Sequence, residues 1–193
     1  MAKEIKNENA EVVAEAVSKT EQFFEKNGKL LGIITAAAVV IAAAVFCWNK
    51  FIYQPAVAEA QGQMVTAEAK FLASDYEVAL NGDGNALGFA QIIDEYGSKA
   101  GKAVYFYAGV CELQLGNWNE AIKYLESYKG KDAILAARAT ACIGDAYVGL
   151  EDYKKALTYF EKAASTVDNM FAAGYLLKAG VTAEKLGENA KAL

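Results

Sequence analysis

The fold is decided by two stretches that align with each other, YFYAGVCELQLGNWNEAIKYLESY at residues 105–128 and TACIGDAYVGLEDYKKALTYFEKA at residues 140–163. Three sets of identical residues recur at intervals of 35 and then 36 positions: Gly109, Gly144 and Gly180; Leu115, Leu150 and Leu186; Ala121, Ala156 and Ala192. Such self-similarity is typical of repeat proteins, in which each unit packs on its neighbours. Each unit is predicted to be a helix containing the glycine, a short turn, and a second helix opened by the alanine.

Small residues at these places are typical of closely crossing helices, and the pattern resembles the tetratricopeptide repeat. That family has an aromatic residue in the second helix, a place taken here by Phe160 and, in the earlier unit, by Leu125. The units depart from the family in length, since 34 residues is usual, and in lacking a closing proline. The predicted N-caps are Asp132 and Asp168, with Asn117 and Glu120 forming a capping box. The resemblance implies an all-α fold with a tetratricopeptide-like α-solenoid.

A third stretch, LLGIITAAAVVIAAAVFCWN at residues 30–49, has no charged residue and lies between Lys29 and Lys50. As a helix it covers about 30 Å, the thickness of a bilayer's hydrocarbon core. A cleaved secretory signal does not fit its long polar leader, and Phe46 stands before Cys47 where lipoprotein processing needs a small residue. A buried helix of a soluble domain is rarely apolar on every face for so many turns. We therefore predict a single N-terminal transmembrane helix.

Lysines near the two ends of this helix predict its orientation. The lysines are Lys19, Lys26 and Lys29 before it and Lys50 after it. The positive-inside rule then places residues 1–29 in the cytoplasm and the remaining chain across the membrane, which in a bacterium is the periplasmic side of the inner membrane. Residues 11–26 have the apolar spacing of an amphipathic helix, which is predicted to end at Asn27 and Gly28.

After the span, Pro55 is predicted to lie in the first turn of a helix that runs to about Leu80. The segment NGDGN at residues 81–85 predicts a turn. It resembles the opening of a calcium loop, but Ala86 and Ile92 stand where such a loop needs Gly and Glu, so metal binding is not expected.

Leu80 and Ala86 precede Leu115 and Ala121 by 35 residues. Residues 50–97 are therefore interpreted as a linker helix with a degenerate first helical pair, and residues 98–193 as the repeats. Because Ala192 should open another helix and the sequence stops at Leu193, we expect the natural protein to continue. Without that helix, one apolar side of the preceding one would be uncovered: Tyr175, Leu176, Ala179, Ala183 and Leu186.

The composition narrows the function. The chain has 19 basic and 24 acidic residues, a net charge of -5, and no histidine. Acidity without a basic patch argues against nucleic acid as a partner. The lack of histidine excludes triads with a histidine base and H-E-x-x-H zinc sites. The sequence has no phosphate-binding loop and no paired nucleophile and base, so we predict a binding protein without cofactor or metal, with a histidine-free enzyme as the least favoured alternative.

Cys111 and Cys142 have small apolar neighbours and are predicted to be buried thiols. A disulfide between them is the alternative, because an oxidising compartment would permit it.

In tetratricopeptide repeats the first helices line a concave groove, and the resemblance carries this surface onto a set of mostly apolar positions. The predicted groove residues are Phe106, Val110, Leu113, Arg138, Asp145, Val148, Leu177 and Val181, with Ala103, Gln114, Ala141, Gly149, Gly174, Glu184 and Lys185 beside them. Such a lining suits an apolar peptide or a partner helix better than an acidic tail. The alternative is that these side chains pack within the chain itself.

The membrane helix has its own candidate contact surface. Gly32, Ala36 and Ala43 lie on one side of it, and small residues let another membrane helix approach closely. An alanine-rich span shows such sets by chance as well.

The order of parts, from a charged cytoplasmic segment through one span to repeats, resembles the ancillary subunit of the bacterial Sec translocon, and the segment before the span is similar to that of relatives in Bacteroides-type bacteria. The resemblance implies as partners the membrane subunits of the translocon, a membrane-anchored periplasmic prolyl-isomerase-like chaperone and the lipid bilayer. A membrane-tethered scaffold for another envelope assembly is the alternative.

Overall fold

The computed structural model describes residues 2–166 and 168–187, in two compact units that divide between Ile52 and Tyr53. Every regular element among these residues is helical. The first unit contains helix α1 (Ala2–Trp48), and the π-helical turn Asn49–Tyr53 follows it.

Helix α1 contains the predicted transmembrane segment. It is long and apolar enough to cross a membrane, and its apolar window is not buried by protein. Ile33 and Val40, for example, are each 67% exposed. A helix that is apolar on every side and uncovered by protein fits a lipid environment.

The predicted helix end at Asn27 and Gly28 is wrong, because α1 continues through both residues. The Asn27 side-chain amide donates to the Phe23 carbonyl at 3.0 Å, one turn back along the same helix. A single glycine inside a helix costs about 1 kcal/mol, which the hydrogen bonds of the long flanking turns outweigh.

The second unit consists of eight further helices and one 3-10 turn among the described residues. The helices are α2 (Gln54–Leu72), α3 (Tyr76–Asn81), α4 (Phe89–Tyr96), α5 (Ala103–Gln114), α6 (Trp118–Ser127), α7 (Ala133–Gly149), α8 (Tyr153–Thr166) and α9 (Met170–Lys185), with the 3-10 turn at Gly97–Ala100. From α5 to α9 each helix packs on the next, which confirms the predicted repeat of helix pairs.

The shared glycines lie where the two helices of a unit cross. A Cβ on Gly109 would lie 2.6 Å from Cγ of Leu125, and one on Gly144 would lie 2.7 Å from Cε1 of Phe160. These distances are too short for any side chain, so glycine is required for the second helix to approach. Gly109 and Gly144 thus lie at the helix crossings, as the repeat pattern predicts, and the side chains that they meet there are Leu125 and Phe160.

The shared alanines, Ala121 and Ala156, are fully buried. They do not open the second helices as predicted, because α6 begins at Trp118 and α8 at Tyr153. Each alanine therefore lies in the first full turn of its helix, where it faces the core.

The turn between the two helices of a unit also repeats. The shared leucines are the C-caps of α5, α7 and α9. The residue after each has a positive φ: 82° at Gly116, 59° at Glu151 and 75° at Gly187. Glycine adopts this left-handed conformation without cost, whereas at Glu151 it is disfavoured by roughly 1 kcal/mol.

Of the two predicted aspartate N-caps, one is confirmed and the other is wrong. Asp132 caps α7 as expected, because its carboxylate accepts a hydrogen bond from the Leu135 amide at 2.7 Å. Helix α9 is capped by Asn169 rather than Asp168: the Asn169 side chain accepts from the Phe171 amide at 2.9 Å.

The predicted capping box at Asn117 and Glu120 is wrong. Asn117 is the N-cap of α6 by backbone position, but its side-chain amide donates to the Glu112 carboxylate at 2.7 Å. Glu120 pairs with Lys123 at 3.0 Å. The nearly buried Glu112 carboxylate needs a donor, and the bond from Asn117 Nδ2 holds this side chain in an orientation in which its Oδ1 does not cap α6.

The helix before the repeats is also shorter than predicted. Helix α2 ends at Leu72 rather than near Leu80, and Ser74 follows with a φ of 61°. Leu80 belongs to the short helix α3, whereas Ala86 lies in a loop and not in the first turn of a helix, where its proposed counterpart Ala121 lies. These helices share with α5 a core whose fully buried members include Phe89 and Ile92.

The NGDGN segment forms the predicted turn. The Asp83 carboxylate accepts hydrogen bonds from the backbone amides of Asn85 at 3.0 Å and Ala86 at 2.9 Å. These bonds lower the pKa of Asp83 below its usual value.

Candidate protein-binding groove

Helices α5, α7 and α9, the first helices of successive units, carry most of the side chains that line two adjoining cavities, and α8 supplies the others. We name the one between α5, α7 and α9 cavity I and the one between α7, α8 and α9 cavity II. Asp145 of α7 and Lys178 of α9 line both, and so form their common wall.

Cavity I has a volume of about 360 Å³ and a largely apolar lining with a few polar groups. Its lining residues are Val110, Leu113, Gln114, Ile134, Arg138, Ala141, Cys142, Asp145, Phe171, Tyr175 and Lys178. Ile134 and Phe171 are each 47% exposed at its edge. Large exposed apolar side chains beside a cavity are typical of a surface that takes a partner.

Cavity II has a volume of about 380 Å³ and a floor supplied by α8. Its lining residues are Asp145, Val148, Tyr153, Phe160, Leu177, Lys178, Val181, Thr182 and Lys185. Leu177 is 69% exposed and Val181 53%, although both are on the face of α9 that looks into the cavity. An apolar side chain from a partner would cover surface here that is now in water.

The wall between the cavities is an ion pair. The Nζ atom of Lys178 lies 2.7 Å from each carboxylate oxygen of Asp145. The same nitrogen lies 5.6 Å from the centre of the Phe160 ring, close enough for a cation–π contact. Both side chains are partly exposed, so the pair contributes only about 0–1 kcal/mol to the stability of the fold.

Arg138, the only arginine in the chain, lies on α7 at cavity I. Its guanidinium carbon is 5.9 Å from the centre of the Phe106 ring, and that ring is in edge contact with Tyr128 at 6.1 Å. Within the described parts of the chain, no carboxylate lies within ion-pair distance of Arg138. Its guanidinium therefore contacts an aromatic ring and lines cavity I without a carboxylate partner among the described residues.

Seven of the eight predicted groove residues line these cavities. Val110, Leu113, Arg138 and Asp145 line cavity I, and Asp145, Val148, Leu177 and Val181 line cavity II. Phe106 lies beneath the surface, only 5% exposed, where it supports Arg138. The structure thus brings the predicted residues together, and their binding role stays a prediction.

Sequence analysis misses several lining residues. Lys178 lies four positions after Gly174, a helical spacing that places it on the groove face. Phe171 and Tyr175 could be found by the same spacing along α9. Tyr153 and Phe160 could not, because they belong to the second helix of a unit and reach cavity II only through the packing of α8.

The three cysteines are free thiols, so the alternative of a disulfide between Cys111 and Cys142 is not what the structure shows. Burial raises the pKa of the Cys142 thiol to about 11 and that of Cys111 to about 12. Both thiols are therefore protonated at neutral pH.

The side of α9 predicted to be uncovered is mostly covered. Ala179 and Ala183 are buried against α8, and Tyr175 and Leu186 are half-buried in the same cluster. Only Leu176 is exposed, by 59%. The expectation is wrong because α9 packs this side on the preceding unit. Ala192 lies outside the described residues.

On α1, the predicted contact residues Gly32, Ala36 and Ala43 are all exposed. A Cβ added to Gly32 would meet nothing within 4 Å, so this face offers room for close approach. Its use as a membrane-helix contact stays a prediction.

Comparison with known proteins adds one result. The tetratricopeptide repeat family model matches residues 103–132, which comprise α5, α6 and the turn that follows. A comparison with curated proteins returns no match. The chain thus contains a tetratricopeptide repeat, a motif that suggests a role in protein–protein interaction.

Proposed function

We propose that this chain is a membrane-tethered binding protein whose groove, formed by α5, α7 and α9, takes polypeptide segments of its partners. The observation that carries the proposal is the pair of adjoining cavities with exposed apolar walls at Leu177 and Val181. The tetratricopeptide repeat and the apolar helix α1 support it, because together they suit a protein that meets its partners at a membrane. The role is one of binding and not of catalysis.

The proposal extends to location and partners. We place the repeats on the periplasmic side of a bacterial inner membrane, as an accessory of the Sec translocon and of a membrane-anchored prolyl-isomerase-like chaperone that assists envelope proteins. The lysine distribution around the span supports the orientation. The partner assignment is supported by the order of parts, from charged segment to span to repeats. A scaffold for another envelope assembly is the second candidate.

Affinity purification of the full chain from membranes in mild detergent tests the partner assignment. Recovery of the translocon channel with a periplasmic chaperone supports it, and recovery of a different complex would replace it with the second candidate.

A matched pair of variants tests whether the groove makes the contact. Leu177→Glu places a charge in cavity II, and Leu176→Glu places the same charge on the neighbouring, similarly exposed residue, which does not line either cavity. We expect Leu177→Glu to lose the partner in the purification and Leu176→Glu to retain it. Equal recovery with both variants would exclude the groove.

Orientation is tested with Asn85→Cys in the exposed turn after α3, in a Cys47→Ala background. A membrane-impermeant maleimide should label this variant from the periplasmic side of intact inner membranes. Labelling only after lysis would reverse the orientation.

A further inference from the structure

We infer that the segment taken by the groove carries a carboxylate side chain among its apolar side chains, and that Arg138 binds this carboxylate through two parallel hydrogen bonds. The inference rests on the proposed function, since it names the chemistry of the segment that the groove takes. It adds a charged group to the apolar peptide or partner helix that the mostly apolar lining predicts as the ligand.

The charges around the cavities are opposite in sign to those of the whole chain. The chain has a net charge of -5. The cavity linings nevertheless contain the cations of Arg138, Lys178 and Lys185 and only one carboxylate, that of Asp145. A local excess of positive charge in an acidic protein favours a segment with negative charge.

Two of the three cations have a partner or a role in the fold. Lys178 is held by both oxygens of Asp145. Lys185 lies in the last turn of α9, where a cation is stabilised by the helix dipole. Arg138 lies in the interior of α7 and has no carboxylate partner among the described residues. Of the three cations, Arg138 is therefore the one with neither a carboxylate partner nor a position at a helix end among the described residues.

The choice of residue at this position points to the ligand. Every other basic residue in the chain is lysine, and the single arginine stands at the groove. The planar guanidinium matches a carboxylate with two parallel hydrogen bonds, which a lysine ammonium cannot do. Contact with the Phe106 ring restricts the guanidinium before a ligand arrives, so less entropy is lost on binding.

The surroundings strengthen such a pair. Val110, Leu113 and Ala141 line the same cavity as Arg138. Apolar side chains of a bound segment would cover the guanidinium and exclude water, and an ion pair is stronger in such a setting than on an open surface. The apolar anchors and the carboxylate of the ligand therefore act together.

The test uses the full chain in lipid nanodiscs and labelled twelve-residue peptides blocked at both ends, so that no terminal charge contributes. Each peptide has two phenylalanines at a spacing varied from one peptide to the next, and either one glutamate or one glutamine at the same position. Affinity is measured by fluorescence anisotropy. We expect the best glutamate peptide to bind about tenfold more tightly than its glutamine counterpart, as for a hydrogen-bonded charge pair.

Variants of the protein assign this preference to one side chain. Arg138→Gln should remove the tenfold difference by weakening the glutamate peptide much more than the glutamine peptide, and Arg138→Lys should restore only part of the difference. Lys154→Gln, which removes an exposed charge from α8 outside both cavities, is the matched control and should change nothing. Circular dichroism checks that the variants fold.

The outcomes separate the two proposals. Equal binding of the glutamate and glutamine peptides, or an equal loss for both in Arg138→Gln, would overturn the carboxylate inference while the groove stands. Failure of both peptide series to bind wild-type protein would overturn the groove and the inference together.

Discussion

Asp145 of α7 and Lys178 of α9 join the first helices of two successive units, with the lysine nitrogen 2.7 Å from both carboxylate oxygens. The pair lies between cavity I and cavity II, so it joins these helices where a ligand would lie. Because both side chains are partly exposed, the pair should contribute little to the stability of the fold.

The first prediction concerns this pair. Asp145→Asn should lower the free energy of unfolding by less than about 1 kcal/mol, since exposed ion pairs contribute little. Urea unfolding of the full chain in micelles measures this. Glu120→Gln, which removes the exposed pair with Lys123, is the matched control and should give a similar value. A loss several times larger for Asp145→Asn would show that the pair holds the units together.

A second prediction concerns the helix crossing. Gly144→Ala should destabilise the protein by about 1–3 kcal/mol, because the new Cβ would lie 2.7 Å from the Phe160 ring in a packed interior. Gly174→Ala in α9 is the control: its Cβ would meet nothing within 4 Å, and alanine is the better helix former by about 1 kcal/mol. Thermal unfolding should therefore move in opposite directions for the two variants. Similar melting temperatures would contradict the crossing.

The third prediction is a stabilising change. Glu151 has a φ of 59° at a position where the other two units have Gly116 and Gly187. Glu151→Gly should raise the free energy of unfolding by about 0.5–1 kcal/mol, because glycine relieves the left-handed strain. Gly116→Ala should lower it by a similar amount for the same reason, and denaturant titration of both variants checks the pair of signs.

A fourth prediction concerns alkaline pH. Burial raises the pKa of Cys142 to about 11 from an ordinary value of 9.0. Between these values the unfolded chain has lost this proton and the folded chain still holds it, so stability falls as pH rises from 9 to about 11. The loss from this group is on the order of 2 kcal/mol.

In Cys142→Ala, the free energy of unfolding should fall less steeply with rising pH than in wild type. This comparison separates the contribution of Cys142 from those of the lysines and tyrosines that titrate in the same pH range. The non-titrating change Thr158→Ala on exposed α8 surface should leave the wild-type slope. Identical slopes for wild type and Cys142→Ala would show that Cys142 is not buried as a neutral thiol.

The fifth prediction concerns the membrane helix. In a Cys47→Ala background, Gly32→Cys should crosslink to a partner's membrane helix, because the face of Gly32, Ala36 and Ala43 permits close approach. Ile41→Cys lies on the opposite side of α1 and is also exposed, so it is the matched control. Equal crosslinking from both positions, detected by mass spectrometry, would mean that this face is not a defined interface.

Much of the fold follows from the repeat pattern of the sequence. The period of glycine, leucine and alanine predicts the helix pairs, because a crossing needs a small residue at one place in each unit, and Gly109 and Gly144 meet that need. The failures occur where two partners compete for one group. Asn117 has the sequence of a cap, but the buried Glu112 takes its amide, and no local pattern reveals this competition.

The candidate site was predictable to the extent that it belongs to helix faces. Val110, Leu113, Leu177 and Val181 follow from helical spacing, whereas the part of cavity II lined by α8 depends on Tyr153 and Phe160. Their position results from how one unit packs on the next. The ion pair of Asp145 with Lys178 joins residues 33 apart, and spacing within one helix cannot indicate it.

Phe160 serves the repeat and the groove at once: it fills the space left by Gly144, forms part of the floor of cavity II and lies beneath the Lys178 ammonium group. Enlarging this cavity from below would therefore weaken the crossing of α7 and α8. Under selection for a new partner, the floor is constrained by folding, while the exposed walls at Leu177 and Val181 are free to vary. Diversification of ligand preference in such a protein should be concentrated on α9.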